Sequence, residues 1–143
     1  MEKLYSTLNK QVANLSVFFT KLHHYHWYVK GSGFFTLHEK FEELYDEINE
    51  LYDEFAERLI IIGGKPISNL KGYLQATSLK EANEEKCNDM VLAVVNDFKI
   101  MNDELKALLV LAQDLGDEVT ADLAIATMTS FEKHIWMFSA YLG

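Results

Sequence analysis

The sequence predicts an all-α protein: four long helices packed as a bundle, with a short extra helix in the crossover between the second and third. Three observations carry that expectation. Apolar residues recur at steps of three and four through four long stretches, the spacing that gathers one face of an α-helix. Pro66 is the only proline, and the seven glycines are confined to a few breaks, where they punctuate helices rather than interrupt them. Those breaks are unequal, tight around Gly31 and Gly33, long after Gly63 and Gly64, tight again at Gly116. No alternating strand pattern, low-complexity tract or internal repeat competes with this plan.

The first helix places Leu4, Leu8, Val12, Leu15, Phe19, Leu22, His26 and Val29 on one face. In the second, Leu37, Phe41, Leu44, Ile48, Leu51, Phe55, Leu59 and Ile62 alternate almost without interruption. Thr36 and Glu39 have the spacing of a capping box at its start, and Gly63 with Gly64 ends it. Residues 65–79 are too short and mixed for another long helix, but "NLKGYL" can make one or two turns within a crossover. Ser78 and Glu81 suggest a second capping box, ahead of the stripe Cys87, Val91, Val94, Phe98, Met101, Leu105, Leu108 and Ala112. "LGDE" at 115–118 breaks that helix. Asp117 then caps a fourth, expected to turn Val119, Leu123, Ala126 or Thr127, Phe131, His134, Phe138 and Tyr141 inward. The methionines and Phe41, Phe55, Trp136 and Phe138 are expected in the core. Up-down helices with a single long crossover are the ferritin-like arrangement. An ordinary four-helix bundle used for binding shares that outline, so the fold does not by itself assign a function.

At 143 residues, 49% of them hydrophobic, the chain is expected to form a single domain over 1–143 with a core of its own. Cys87 is the only cysteine and has no internal partner. Without a signal-like start or an apolar span, the expected compartment is the cytoplasm, with no membrane association. Thirteen basic against 22 acidic residues give a net charge of -9 and an isoelectric point near 4.9. That balance argues against electrostatic binding of nucleic acid or anionic lipid and points to cations as partners.

Two pairs stand out on the second helix. His38 and Glu42 lie one turn apart, as do Asp53 and Glu57, and each pair can converge on one ion. Fifteen residues separate His38 from Asp53, which leaves the pairs roughly on one side but about 22 Å apart along the axis. They cannot share an ion within one chain. A two-fold axis midway along this helix would run it antiparallel to its copy and bring each pair against the other pair of its mate, making two equivalent sites. His26, folded back beside His38 by the glycine turn, would add a third donor. Taken singly, His26 is more often a hydrogen-bonded core histidine, and Glu42, Asp53 and Glu57 are more often solvated helix charges; only their joint arrangement favours a metal. His23 and His24 read as exposed or locally hydrogen-bonded, and His134 as a core or interface histidine. None of these three is assigned to metal, while Trp27 and Tyr28 flank the site. A centre held inside one bundle needs Glu-x-x-His on facing helices. The residues three before the histidines are Thr20, Lys21, His23, Phe35 and Phe131, so that motif is absent.

These same residues carry a resemblance. "HWYVKGSGFFTLHEKFEELYDE" at 26–47, "DEFAERLIIIGGKP" at 53–66 and "KHIWMF" at 133–138 closely resemble the miniferritins, the Dps family (DNA-binding proteins from starved cells), and the helix plan agrees over nearly the whole chain. The resemblance implies a hollow homo-dodecamer built from two-fold dimers. It would oxidise Fe(II), preferably with hydrogen peroxide, and hold the ferric product inside as protection against oxidative damage. It also implies that His26 and His38 are the histidine ligands and that Asp53 and Glu57 are the carboxylates supplied by the partner. Glu42 stands where the family usually has Asp, a longer arm with the same charge. Acidic pores that admit iron map near the start of the last helix, making Glu118, Asp122 and Asp114 candidates; solvated helix-start acids are the alternative. Imidazole with carboxylate also suits Zn2+ as a substitute. DNA-compacting members carry lysine-rich tails, whereas here the bundle begins almost at Met1 and ends at Gly143. Direct DNA binding is therefore not expected. A DNA-binding shell and a non-catalytic helical interaction protein stand as the alternative functions.

Overall fold

Five helices and no strand make up the computed structural model, which describes residues 1–143. They are α1 (Glu2–Tyr28), α2 (Phe34–Ile61), α3 (Leu70–Ala76), α4 (Cys87–Asp114) and α5 (Glu118–Leu142). Two helical hairpins, α1 with α2 and α4 with α5, pack through α1 and α4, and α3 lies in the crossover against α1. This is the all-α, ferritin-like plan that the apolar periodicity predicts. At the centre, Phe18 of α1 meets Phe98 of α4 edge-on at 5.0 Å, and Phe98 meets Phe131 of α5 at 4.8 Å. All three rings are almost fully buried, so one aromatic stack ties three helices together.

Glycine ends both α2 and α4 for the same reason. Gly63 has φ +95° and Gly116 φ +74°, left-handed values that cost a residue with a Cβ about 1–2 kcal/mol. At the end of α2, Gly63 donates to the Ile60 carbonyl and Gly64 to that of Leu59. At the end of α4, Gly116 donates to Gln113 and Asp117 to Ala112. Each is a Schellman motif satisfying carbonyls left over by the helix.

Polar residues on α1 fasten the crossover. Asn9 accepts from the Ile67 amide and donates to the Lys65 carbonyl. Asn14 Oδ1 accepts from Thr77 Oγ1 and the Ser78 amide, while its Nδ2 donates to Glu104 of α4 at 2.7 Å. Farther along, Lys21 donates to the Lys80 carbonyl and Tyr25 to Glu85. Gln11, Asn14 and Lys21 are buried, so this polar row adjoins the apolar stripe and is invisible to apolar periodicity.

Neither expected capping box forms. The first residue of α2 is Phe34, capped by Gly33, because the Gly31 turn already closes the first bonds; Thr36 therefore sits inside the helix. Residues 77–86 stay irregular until α4 opens at Cys87, since the Ser78 amide and hydroxyl are committed to Asn14 and Glu104. The buried face of α5 is also rotated from the expected one. Thr120, Ala121, Ala124, Thr127, Met128, Phe131 and Phe138 face inward, whereas Val119 and Tyr141 are exposed. Thr120, Ala121 and Ala124 are small, and apolarity alone misjudged them. Trp136 is 67% exposed and Met1 and Met137 are also exposed, against the expectation of core positions.

Asp117 caps α5 as predicted, its carboxylate accepting from the Thr120 amide at 3.0 Å. Arg58 of α2 reaches the same carboxylate at 2.8 Å and the Thr120 hydroxyl at 2.9 Å. Burial pushes the Asp117 carboxyl up, but the Thr120 bonds and Arg58 more than offset this and hold it below its ordinary range. A lowered folded value means the stabilisation is present above the ordinary carboxylate range and is lost as pH falls through it. Asp117→Ala is expected to cost about 1–2 kcal/mol at neutral pH. In urea melts, the difference from wild type should shrink on acidification.

Candidate metal centre

The hairpin between α1 and α2 sets the first half of the site. Gly31, at φ +98°, reverses the chain and brings the last turn of α1 beside the second turn of α2. There His26 Nδ1 lies 2.6 Å from the His38 carbonyl, and His38 Nδ1 lies 2.8 Å from the His26 carbonyl. A carbonyl only accepts, so each Nδ1 carries a proton, and in the neutral ring it is Nε2 that holds the lone pair. The rings stack at 3.7 Å, 14° from parallel. Phe34 covers His38 at 4.9 Å and Tyr45 meets His26 edge-on at 5.4 Å. Glu42 Oε1 stands 3.8 Å from His26 Nε2. His26 is buried and Glu42 exposed, so a braced nitrogen pair faces a carboxylate free to adjust. Trp27 and Tyr28 border this end and are exposed.

Asp53 and Glu57 form the other half, one turn apart and exposed on α2. A hydrogen bond with Asp53, and its like charge, push the Glu57 carboxyl above its ordinary range. Two carboxylates so close resist joint ionisation, a strain that a bound cation relieves. Within one chain the halves remain about 22 Å apart along the helix, and no three His, Cys, Asp or Glu side chains stand in metal-binding register. One chain therefore supplies two half-sets of donors, nitrogen-rich at one end of α2 and oxygen-only at the other.

Asp114 closes α4, Glu118 opens α5 and Asp122 follows one turn later; all three are exposed. Asp122 shares with Glu50, Asp53, Glu54 and Glu57 an acidic groove between α2 and α5. Its one cation, Arg58, is engaged by Asp117.

Sequence reasoning passed over one further cluster. His134 is half-buried against Phe98, but its Nε2 bonds Glu47 of α2 at 3.1–3.2 Å, and Ser130 bonds the same carboxylate at 3.0–3.1 Å. The i, i+4 spacing of Ser130 and His134 was the available signal. His23 behaves as expected, its Nδ1 donating locally to the Phe19 carbonyl.

Residues 5–143 match the ferritin-like domain family. General stress protein 20U of Bacillus subtilis (strain 168) is 51% identical over 143 residues, covering 99% of each chain. DNA protection during starvation protein 2 of Bacillus anthracis is also 51% identical over 143 residues, covering 99% of this chain and 98% of its own. The crystal structure of a Dps protein from Bacillus brevis superposes with a TM-score of 0.98 at 47% identity, over 99% of this chain and 96% of that one. This chain belongs to the ferritin-like family, as a Dps protein. A zinc-soaked Dps of Listeria innocua is similarly close, with a TM-score of 0.95 at 46% identity over 98% of this chain and 96% of that one. No helix is long and apolar enough to cross a membrane.

Proposed function

We propose that this Dps protein oxidises Fe(II) with hydrogen peroxide at centres shared between two subunits and stores the ferric product in a hollow dodecamer, protecting the cytoplasm from oxidative damage. The observation that carries the reading is the reciprocal bracing of His26 and His38. Ligating histidines are oriented by a hydrogen bond from the other ring nitrogen, and here each backbone carbonyl provides that bond for the opposite ring. His26, His38 and Glu42 of one subunit would face Asp53 and Glu57 of its mate, completing a mixed nitrogen and oxygen set suited to Fe(II) and to Zn2+ as a substitute. Three variants of Listeria innocua Dps lose one or both of two histidines spaced twelve residues apart, as His26 and His38 are, in keeping with this assignment.

Iron is the substrate. Two Fe(II) ions each lose one electron; the O–O bond of peroxide takes the pair and, with two protons, leaves as two waters. The protein's part is to hold two ions and the oxidant together, so that both electrons are delivered within the interface and hydroxyl radical is not released. Glu118, Asp122 and Asp114 would line the pores that admit Fe(II), and the acidic groove would lead from Asp122 to Asp53 and Glu57. At a net charge of -9 few phosphates could be neutralised, so protection of DNA would come from removing iron and peroxide rather than from binding.

Metal-stripped protein should elute as a dodecamer and consume Fe(II) with peroxide much faster than buffer. Fe(II) loss no faster than in buffer would leave a non-catalytic interaction bundle. Retention of a plasmid at neutral pH and moderate salt would instead favour a DNA-binding shell.

A further inference from the structure

The cluster of Glu47, Ser130 and His134 lies in a groove of about 440 Å³ between α2 and α5. The proposed iron-oxidising centre does not use it, and the present site rests on different residues. Around α2, at 100° per residue, His38, Glu42, Asp53 and Glu57 fall within about 100° of one another, and Glu47 falls about 130° from their middle. The helix itself separates the two sets.

The spacing within this cluster is that of a coordination shell. His134 Nε2 lies 3.2 and 3.1 Å from the two Glu47 oxygens, and Ser130 Oγ lies 3.1 and 3.0 Å from the same oxygens. Ser130 Oγ and His134 Nε2 are 3.4 Å apart. Ligands at 2.0–2.2 Å from an ion are separated from one another by roughly 3.0–3.4 Å in tetrahedral or octahedral geometry. The three side chains come from two helices fixed by the core, with His134 stacked on Phe98 at 5.2 Å, so little reorganisation is needed. Burial pushes the Glu47 carboxyl up, yet bonds from His134 and Ser130 bring it below its ordinary range and keep it ionised. Lys40, which lines the groove from α2, is paired with Glu43 at 3.0 Å, and the open groove has room for water ligands.

We propose that Glu47, His134 and Ser130 form a second metal site, one per chain, taking a single borderline divalent ion such as Zn2+ with water completing its shell. On ion binding, the His134 ring changes tautomer through solvent: the Nε2 proton passes to water and Nδ1 takes one up, so the neutral ring offers its Nε2 lone pair. Its Nδ1 makes no hydrogen bond, unlike those of His26 and His38, and Lys133 also lines the groove. The site therefore binds more weakly than the centre described above.

The test uses the intact assembly and zinc chloride. Wild-type crystals soaked in zinc should show an anomalous peak at the zinc edge between the Glu47 carboxylate and His134 Nε2; a soaked crystal with no peak there, at a concentration that fills other sites, overturns the proposal. Equilibrium dialysis should show the loss of one zinc per chain in His134→Phe, which keeps an aromatic ring on Phe98, and in Glu47→Gln, which keeps the shape. Unchanged stoichiometry in both variants would also overturn it. Peroxide-driven Fe(II) oxidation by the wild-type protein is read separately, so failure of the ferroxidase reading and failure of this site are distinguishable.

Discussion

Co-assembly of His26→Ala chains with Asp53→Ala chains is expected to restore about a quarter of the wild-type iron-oxidising centres, although each variant alone has almost none. The arithmetic follows from two-fold symmetry. In the proposed arrangement the histidines of one chain meet the carboxylates of its mate, so a mixed dimer has one centre with both substitutions and one with neither. Random pairing makes half the dimers mixed, and half their centres are intact. A centre confined to one chain would behave otherwise, since every chain would carry one defect and mixing would recover nothing. The measurement is the initial rate of peroxide-driven Fe(II) oxidation in shells refolded or co-expressed from both variants, against each alone. Absence of recovery, in shells shown to contain both chains, would refute a centre shared across the interface. Near-wild-type rates from either single variant would show that His26 or Asp53 is not a ligand. Both side chains lie outside the main hydrophobic cluster, and thermal melts of the single variants separate lost chemistry from lost folding.

What the sequence disclosed follows the physics of each signal. Long apolar stripes made the four helices legible, because burial of one face has an unambiguous period. Helix ends were legible where glycine needs a left-handed backbone, as at Gly63 and Gly116, and where Asp117 has a free amide to accept from. They were not legible at Thr36, where the Gly31 turn opens the helix two residues earlier, or at Ser78, whose amide and hydroxyl are committed to Asn14 and Glu104. The candidate site was readable as spacing along α2, yet the bracing of its histidines was not. Reciprocal bonds between ring nitrogens and carbonyls depend on how the Gly31 turn aligns two helices, and no residue type encodes that. Glu47 was passed over for a related reason, since its partners His134 and Ser130 lie on a helix more than eighty residues away. Pairings across such distances leave no local pattern. The rotated face of α5 shows the same limit in packing: Thr120, Ala121 and Ala124 are buried although a scale of apolarity ranks them behind exposed Val119.

The largest effect on stability should come from Lys21. Its ammonium is 2.8 Å from Asp97 Oδ2 and donates to the Lys80 carbonyl at 2.8 Å, with both side chains of the pair almost fully buried. Oδ2 receives no well-directed hydrogen bond despite that proximity, so the pair is held mainly by charge. Burial pushes the Asp97 carboxyl above its ordinary range, and the negative Glu85 adds to this, while Lys21 only partly opposes it. Lys21→Met keeps the volume but leaves a buried carboxylate alone and frees the crossover at residue 80; the expected loss is about 3–5 kcal/mol. The sign of its pH dependence is fixed by the raised carboxyl. Protonation in the folded state relieves the burial, so the variant's deficit should be least below the ordinary carboxylate range and grow as pH rises through the folded value. Lys21→Met combined with Asp97→Leu should regain much of the loss, because a packed apolar pair of similar volume replaces a buried ion pair at little cost. Urea unfolding of the single and double variants between acid and neutral pH checks both claims. A single variant as stable as wild type at neutral pH would show that the charge is solvated after all, and a double variant no better than the single would place the loss in the Lys80 anchor instead.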